Sequence, residues 1–205
     1  MTIDQPPSNT MTLGFFHELK ELMGRISVIQ GLRALIITGR GRHFSSGADI
    51  SELLENISES TLLGHYQTCL SIERMNIPVI SAIRGVCLGS AFELALFSHF
   101  RICTPDAVLG LPETTFGLIP GLGGIQRIAA LAGKAKAIEI ILRGITFPAS
   151  DAMEMGLVDA MVPKEQMIPA VLAFIEKIDG RFRNADRQLL VKRLLNPTHP
   201  IENER

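Results

Sequence analysis

The sequence predicts an α/β protein, and three observations support that prediction. Short apolar runs rich in β-branched residues alternate with longer segments whose apolar residues recur at helical spacing. Glycine or proline bounds most of these segments. Hydrophobic residues make up 46% of the 205 residues, enough to build a core without a disulfide or metal staple. Such alternation is typical of folds in which helices cover a mostly parallel sheet.

The first part of the chain predicts three helices and two strands. Residues 10–31 carry apolar side chains at helical spacing and end at a glycine, which predicts an amphipathic helix. Residues 32–39, LRALIITG, form a short β-branched run that predicts a buried parallel strand. Helices are then predicted from near Ile50 and over residues 62–75, and Pro78 opens the strand PVISAIRG.

The second part continues the alternation and closes with helices. The predicted elements are a helix entered through small residues within 84–100, a strand and turn over 100–113, helices within 117–133 and over 134–144, a helix from Ser150 to Met155, a strand over 157–163 and a helix over 164–178. Residues 195–205 are polar and contain proline, which predicts a loose terminus.

Composition and charge argue against several classes of partner. Twenty Lys and Arg residues against 21 Asp and Glu residues leave a formal charge of −1, so we expect no nucleic-acid partner. No stretch reaches the ~20 apolar residues that span a bilayer, and we expect no membrane partner. The three cysteines form no CxxC pair, which favours reduced, buried thiols in a cytoplasmic protein. No His, Cys and carboxylate cluster stands at ligand spacing, so we expect no metal.

Two loops of small residues are candidate anion-binding sites. Residues 45–49 (SSGAD) and 89–91 (GSA) each follow a predicted strand and precede a helix. The first amides of a helix lack internal partners and carry its positive dipole end, so two of them together could bind a developing oxyanion. Asp49 has a simpler alternative role, which is to cap the helix that begins at Ile50.

Two glutamates in apolar surroundings are candidate acid and base groups. Glu93 lies in FELALF and Glu113 in the Leu-Pro-Glu turn. Burial should raise the pKa of such a carboxyl toward neutrality, which suits a group that exchanges protons. Either glutamate alone is better explained by a structural role at a helix end. The side chains that we interpret as packing or surface residues are His43, His65, His99 and Cys87.

Four longer stretches carry a family resemblance. They are LIITGRGRHFSSGADISEL, PVISAIRGVCLGSAFELAL, VLGLPETTFGLIPGLGGIQRIAALAGKAKAIEIILRG and PASDAMEMGLVDAMVP. In this order and spacing they resemble the crotonase (enoyl-CoA hydratase/isomerase) superfamily over almost all of residues 2–170. The resemblance implies one crotonase-like domain over residues 1–205, with a spiral of ββα units in 1–160 and a truncated C-terminal helical region in 161–205.

The resemblance also implies an activity and a set of site residues. An acyl-CoA thioester would place its oxygen on the backbone N–H groups of Ala48 and Ser90, with Glu93 and Glu113 as the two catalytic acids. The implied substrate-binding residues are Arg42, Ser46, Ala48, Asp49, Ile50, Ser51 and Gly89. Both acids are present, whereas the family's isomerases commonly use one at the position of Glu113, so the resemblance favours a hydratase. No cofactor is implied, because coenzyme A is part of the substrate.

The chain departs from the family pattern in three places. Ser90 and Ala91 stand where the family usually has glycines, which leaves the amide in place but less room beside it. Residues 4–6, Asp-Gln-Pro, replace a more usual Asn-Arg-Pro run. The sequence ends before the family's last helices, which cover the site and contact other subunits. A homo-oligomer, trimer or hexamer, is implied by the resemblance.

Two alternative functions remain at this point. Double-bond isomerisation could use the same scaffold with one glutamate that moves the proton between carbons. A non-catalytic acyl-CoA-binding subunit is suggested by the shortened ends and the filled glycine position. The acid pair argues against a pure binding subunit, because binding needs the amides but gains nothing from two buried carboxylates.

Overall fold

The computed structural model describes residues 1–56 and 58–182, which contain two sheets and their covering helices. The strands are β1 (Thr2–Ile3), β2 (Leu35–Gly39), β3 (Val79–Ile83), β4 (Val86–Leu88), β5 (Phe100–Cys103), β6 (Val108–Gly110), β7 (Thr146–Pro148) and β8 (Ala160–Met161). The α-helices are α1 (Leu13–Ser27), α2 (Ile50–Asn56), α3 (Glu59–Glu73), α4 (Ser90–Leu96), α5 (Gly124–Ala132), α6 (Lys134–Arg143), α7 (Ala149–Glu154) and α8 (Met167–Phe182). Short 3-10 helices span Glu113–Phe116 and Lys164–Gln166.

The chain winds as a spiral in which the successive units β3-β4 and β5-β6 each add one strand to each sheet. The five-stranded sheet has the order β1-β2-β3-β5-β8, and every neighbouring pair is parallel. The second sheet has the order β4-β6-β7, with β4 and β6 parallel and β7 antiparallel. The succession β3-β4-α4 followed by β5-β6 and a helix repeats one ββα unit. The α/β class and the predicted spiral are therefore confirmed.

Apolar residues on both faces of the five-stranded sheet explain its central position. Strand β3 is buried along its whole length, as expected for a parallel strand covered on both sides. One face packs into the main core, and the other meets α8. Met167, Val171 and Ile175 of α8 pack there against Ile80 and Ile102. The predicted loose terminus at residues 195–205 lies outside the described residues.

Most predicted elements are present with altered ends, but strands β1, β4 and β7 have no counterpart among the predicted elements, and the one strand predicted within 100–113 is two strands, β5 and β6. The helix predicted over residues 10–31 is the shorter α1, which begins where the Thr12 hydroxyl accepts a hydrogen bond from the Phe15 amide. Val86–Leu88 was interpreted as the approach to a helix but is β4, and β7 was not predicted. Three-residue strands are too short to show alternation, and their partners are distant in sequence.

None of the helices in residues 1–56 and 58–182 combines the length and apolar content that crossing a membrane requires.

A buried arginine ties β5 to the segment before β8. The Arg101 guanidinium donates to the carbonyls of Leu157 and Ser98 at 2.8 and 2.7 Å, and it pairs with Asp159 at 3.3 Å. Only 4% of the Arg101 side chain is exposed. Leu157 and Ser98 are buried, whereas Asp159 still reaches solvent, so the guanidinium mainly compensates two carbonyls that have lost contact with water.

We expect Arg101→Met to lower the free energy of unfolding by roughly 2–4 kcal/mol, because it removes the donor to two buried carbonyls, at about 1–3 kcal/mol each, while Asp159 keeps its bond from the backbone amide of residue 101. The matched control is Arg40→Met, which breaks the surface pair with Asp4 and should cost at most about 1 kcal/mol. Urea denaturation of both variants checks the prediction. Equal losses in the two variants would contradict it.

Candidate active site

The loop over residues 45–49 runs beside the segment that leads into α4. Ser45 pairs with Cys87 in a parallel bridge, in which the Ser45 amide donates to Val86 and the Leu88 amide donates back to Ser45. Ala48 and Ser90 each follow this bridged pair by three residues. A Cβ built on Gly47 would lie 3.5 Å from the Ser90 nitrogen. The two small-residue loops predicted from the sequence are therefore neighbours.

Two backbone amides in these loops have no acceptor among residues 1–56 and 58–182. Met11 bonds to Gly47 and to Asp49, which leaves the intervening Ala48 amide unused. Ser90 is the first residue of α4, so its amide has no carbonyl in the preceding turn. Within residues 1–56 and 58–182, neither N–H donates a hydrogen bond. Both amides thus remain available to an acceptor from outside the chain.

Glu93 lies one turn into α4 and is almost completely buried, with 1% of the residue exposed. Its Oε1 accepts hydrogen bonds from the backbone amides of Leu122 at 2.9 Å and Gly124 at 2.8 Å. Burial raises the pKa of Glu93 to about 7, against the opposing effect of these amide bonds. The carboxyl can therefore gain or lose a proton near neutral pH.

Glu113 begins the 3-10 helix that follows β6 and faces the loop before Ser90. A Cβ built on Gly89 would lie 3.1 Å from Glu113 Oε1, and Gly89 has a φ of +55°, so a side chain is disfavoured there on both counts. Glu113 Oε2 is buried and has no hydrogen-bond partner in the described part of the chain. Burial raises the pKa of Glu113 to about 7.

The two carboxyl groups influence each other. The charge of Glu113 further raises the pKa of Glu93. Like charges in a partly dehydrated setting resist simultaneous ionisation, so the pair titrates in two coupled steps. Near neutral pH one acid can hold a proton while the other is a carboxylate, which gives the site a proton donor and a proton acceptor together.

The remaining predicted residues lie around this group rather than within it. Asp49 Oδ1 accepts a hydrogen bond from the Glu52 amide at 3.0 Å, so Asp49 caps α2 as the simpler interpretation proposed. Ser46 Oγ contacts the hydroxyls of Ser8 and Thr10 and is exposed. Arg42 before the loop, and Ile50 and Ser51 in the first turn of α2, also reach solvent.

The four side chains interpreted as packing or surface residues make contacts of a structural kind. His43 Nδ1 accepts from the Val86 amide, and His99 Nδ1 accepts from the Val79 amide. His65 stacks on the Phe16 ring with centroids 4.1 Å apart. Cys87 is fully buried, and burial holds the pKa of its thiol well above the ordinary value.

The sequence interpretation missed residues that hold the site together. The amides of Leu122 and Gly124, which bind Glu93, come from the run GLGG before α5, and its glycines were the available signal. Asn9 is buried, and its side-chain amide donates to the carbonyls of Arg40, His43 and Phe44, three residues of the approach to the 45–49 loop. A single asparagine gives no sequence signal for such long-range bonds.

A separate cleft lies between the C-terminal parts of α1 and α3. Its volume is about 750 Å³, and Lys20, Met23, Gln67 and Arg74 are among the residues that line it. It shares no lining residue with the carboxyl pair, so it is a different feature of the surface. Among residues 1–56 and 58–182, no three His, Cys, Asp or Glu side chains are grouped to hold a metal ion.

We expect Glu93→Gln to stabilise the folded protein at pH 8.5, and the gain to disappear toward pH 4.5. The raised pKa means that ionising the buried wild-type carboxyl is costly; this cost is absent below the ordinary pKa and fully present above about pH 7. Each pH unit between the two pKa values, 4.5 and about 7, corresponds to ~1.4 kcal/mol, so the gain should reach roughly 3–4 kcal/mol.

Urea denaturation at the two pH values measures this gain. The control is Glu139→Gln on α6, where Lys136 and Arg143 lower the pKa of the exposed Glu139 carboxyl, so no gain at high pH is expected. A Glu93→Gln variant that is less stable than the wild type at pH 8.5 would contradict the prediction.

Comparisons with known proteins place this arrangement in a family. The family model described as Enoyl-CoA hydratase/isomerase matches residues 1–198. A Bacillus subtilis (strain 168) protein named "Probable enoyl-CoA hydratase" is 41% identical over 162 residues, which are 77% of this chain and 63% of that protein. The fatty acid oxidation complex subunit alpha of Shewanella loihica is 39% identical over 182 residues, 84% of this chain and 26% of that protein. The chain thus spans less than two thirds of the length of these relatives.

Solved structures share the fold. An enoyl-CoA hydratase from Bacillus anthracis superposes with a TM-score of 0.80 at 30% identity, covering 96% of this chain and 85% of that one. A Thermobifida fusca protein in complex with acetoacetyl-CoA superposes with a TM-score of 0.87 at 27% identity, covering 98% and 84%. With its spiral of two sheets and its matching sequence, this chain belongs to the enoyl-CoA hydratase/isomerase family.

Proposed function

We propose that the protein is an enoyl-CoA hydratase, which adds water across the 2,3-double bond of an acyl-CoA thioester or removes it in reverse. The observation that carries the proposal is the pair of buried carboxyl groups, each with a pKa raised to about 7, beside two backbone amides for which the described part of the chain offers no acceptor. The family membership and the names of the relatives support the same class of substrate.

The amides of Ala48 and Ser90 would bind the thioester oxygen. As the α-carbon–β-carbon double bond is attacked, negative charge moves to this oxygen and an enolate forms. Amides that already point into the site stabilise that charge without reorganising, which is why donors of this kind contribute strongly to the rate. Gly47 permits the close approach of the two loops, since a Cβ there would lie 2.6 Å from the Leu88 carbonyl oxygen, and Gly89 leaves room for the Glu113 carboxyl.

The two acids would supply the proton transfers. Glu93, as a carboxylate, takes a proton from water while the water oxygen bonds to the β-carbon. Glu113, as a carboxylic acid, gives its proton to the α-carbon as the enolate collapses. The sum is one water added, with Glu93 left protonated and Glu113 ionised. Proton exchange with solvent restores the starting state.

The coupled titration of the pair should appear in the rate. The mechanism needs one protonated and one ionised acid, a state that is most populated near pH 7 when both pKa values lie there. Lower pH protonates Glu93, and higher pH ionises Glu113. The rate of hydration should therefore follow a bell-shaped curve centred near neutral pH.

The substrate's coenzyme A part would bind along the first loop. Ser46, Asp49, Ile50 and Ser51 line the exposed side of this loop, and Arg42 offers an exposed cation to the phosphates. The proposed reaction transfers only protons and water, and its coenzyme A is part of the substrate. We propose no separate cofactor.

Exposed apolar residues and buried thiols support proposals on the oligomeric state and the cellular compartment. Leu131, Ile138 and Leu142 on α5 and α6 are exposed apolar residues, which supports a homo-oligomer, trimer or hexamer. Three buried free cysteines support a reducing compartment, the cytoplasm. The relative named as part of a fatty acid oxidation complex supports a role in fatty acid metabolism.

We expect the purified protein to hydrate at least one short enoyl-CoA, and Glu113→Gln to lower kcat by roughly 10²–10⁴-fold because the α-carbon loses its proton donor. Binding of a saturated acyl-CoA should remain within a few-fold. Loss of absorbance of the conjugated thioester and calorimetric titration measure the two quantities, with Glu139→Gln as the surface control.

Three outcomes of that experiment separate the functions. Hydration that depends on Glu113 and Glu93 supports the proposal. Movement of the double bond without addition of water, with Glu93→Gln still active, would assign an isomerase instead. Binding of acyl-CoA with no turnover across a panel of chain lengths would assign a non-catalytic subunit.

We expect Ser90→Pro to lower kcat by about 10²–10³-fold, since proline removes one amide donor to the thioester oxygen. Proline is tolerated at the first position of a helix, which Ser90 occupies in α4. The matched control Ser90→Ala keeps the amide and should change kcat by less than about ten-fold. Steady-state kinetics compare the two, and similar losses in both would argue against the amide's role.

A further inference from the structure

The loop that holds Glu93 is itself held from its other side. The N–H of the peptide between Gly123 and Gly124 donates to Glu93 Oε1 at 2.8 Å. The C=O of the same peptide accepts from Arg127 Nη1 at 3.1 Å, besides the longer bond from the Arg127 backbone amide. Because a peptide is planar, fixing its carbonyl also fixes the direction of its N–H. The Arg127 side chain therefore aims a donor at Glu93.

Arg127 is fixed in turn by groups from two other helices. Its Nε donates to Glu73 Oε2 at 2.8 Å, and Nη2 contacts the same oxygen. Its guanidinium carbon lies 3.4 Å from the centroid of the Phe97 ring. Glu73 is the last residue of α3, and Phe97 caps α4, the helix that carries Glu93. One guanidinium thus links the loop to α3 and to the end of α4.

The loop has little room to settle elsewhere. Gly123 has a φ of +93°, and a Cβ there would lie 2.8 Å from Arg127 Nη1 and 2.9 Å from the Tyr66 ring. On the opposite side, a Cβ on Gly124 would lie 2.7 Å from Glu93 Cγ. The Gly123–Gly124 peptide is therefore packed between the Arg127 side chain and the Glu93 side chain.

We propose that Arg127 and Glu73 are positioning residues for hydration: their pair holds the Gly123–Gly124 peptide so that its N–H, together with that of Leu122, binds and orients the Glu93 carboxylate. Neither residue touches the substrate. The inference rests on the proposed function, in which Glu93 accepts the proton of the attacking water.

Loosening the pair should change the titration of Glu93 with a definite sign. The amide bonds of Leu122 and Gly124 lower the pKa of Glu93 against the effect of burial, so weakening them should raise it. The other groups that face this site are Glu113, the buried thiol of Cys69, and Arg127 itself. A positioning effect and a simple charge effect therefore predict opposite changes in the pKa of Glu93 when Glu73 is replaced by Met.

The experiment measures the pKa of Glu93 by NMR titration of ¹³C-carboxyl-labelled glutamate in the unliganded full chain, with Glu93→Gln to assign the signal. Arg127→Met and Glu73→Met should each raise this pKa by roughly 0.5–1, because both release the peptide. Glu73→Gln keeps an acceptor for Arg127 and should stay close to the wild type. Arg25→Met, an exposed position on α1, controls for the loss of an arginine.

A charge effect alone gives the opposite result for Glu73. Removing its negative charge would lower the pKa of Glu93 in Glu73→Met and Glu73→Gln alike. That result, or an unchanged pKa in Glu73→Met, would overturn the proposal. Thermal melts followed by circular dichroism establish whether each variant is folded. If Glu73→Met does not fold, Glu73→Gln supplies the test. A lowered pKa of Glu93 in Glu73→Gln contradicts positioning, and an unchanged pKa supports it.

Kinetics provide the second readout. In Arg127→Met and Glu73→Met, kcat should fall about ten-fold or more, the acidic limb of the pH profile should move to higher pH, and KM should change less than two-fold. Retained kcat in a folded variant whose Glu93 pKa has risen would overturn the catalytic part. The NMR titration needs no substrate, so failure of the hydratase proposal can be distinguished from failure of the positioning proposal. If the protein is not a hydratase, the wild type shows no turnover, while the pKa of Glu93 in the variants still reports the positioning.

Discussion

The hydrogen bonds between the Glu93 carboxyl and the amides of Leu122 and Gly124 are the interaction on which the site depends. A carboxyl that is 1% exposed would be strongly disfavoured as an anion without such donors. Burial and the charge of Glu113 raise its pKa, and the amides oppose that rise, so the balance lies near 7. The same balance makes the group useful for proton transfer, because a weaker set of donors would leave it protonated and a wetter site would leave it an ordinary acid.

The spiral explains how these parts meet. Each turn ends in the second sheet before a helix begins, so loops from successive turns lie side by side. The 45–49 loop and the start of α4 come from adjacent turns, and Glu113 follows β6 from the next. The fold therefore repeats one supersecondary unit and obtains two unpaired amides and two acids at a shared edge. Glycines at 47 and 89 allow this closeness, since a Cβ at 47 would lie 2.6 Å from the Leu88 carbonyl oxygen and a Cβ at 89 would lie 3.1 Å from Glu113 Oε1.

Stability and activity are opposed at this site. Two like-charged groups share a partly dehydrated space, and an unpartnered carboxyl oxygen of Glu113 is buried within the described residues. Such arrangements cost folding free energy and persist where the surroundings fix them. Here Arg127, Glu73 and Phe97 form a dense cluster behind the loop, whereas the substrate side of the first loop is exposed. The side of the loop away from Glu93 is thus densely packed, and the side proposed to bind coenzyme A is open.

The sequence by itself determined the α/β class, most helices and the longer strands, because apolar spacing and glycine or proline boundaries are local properties. It also indicated both acids and both small-residue loops, since charged and small residues in apolar stretches are visible without a structure. Only the tertiary structure decided strands β4 and β7, the hydrogen bonds of Asn9 and the Arg127–Glu73 pair. Their partners lie tens of residues away, and a contact that depends on how distant segments pack leaves no periodic pattern along the chain.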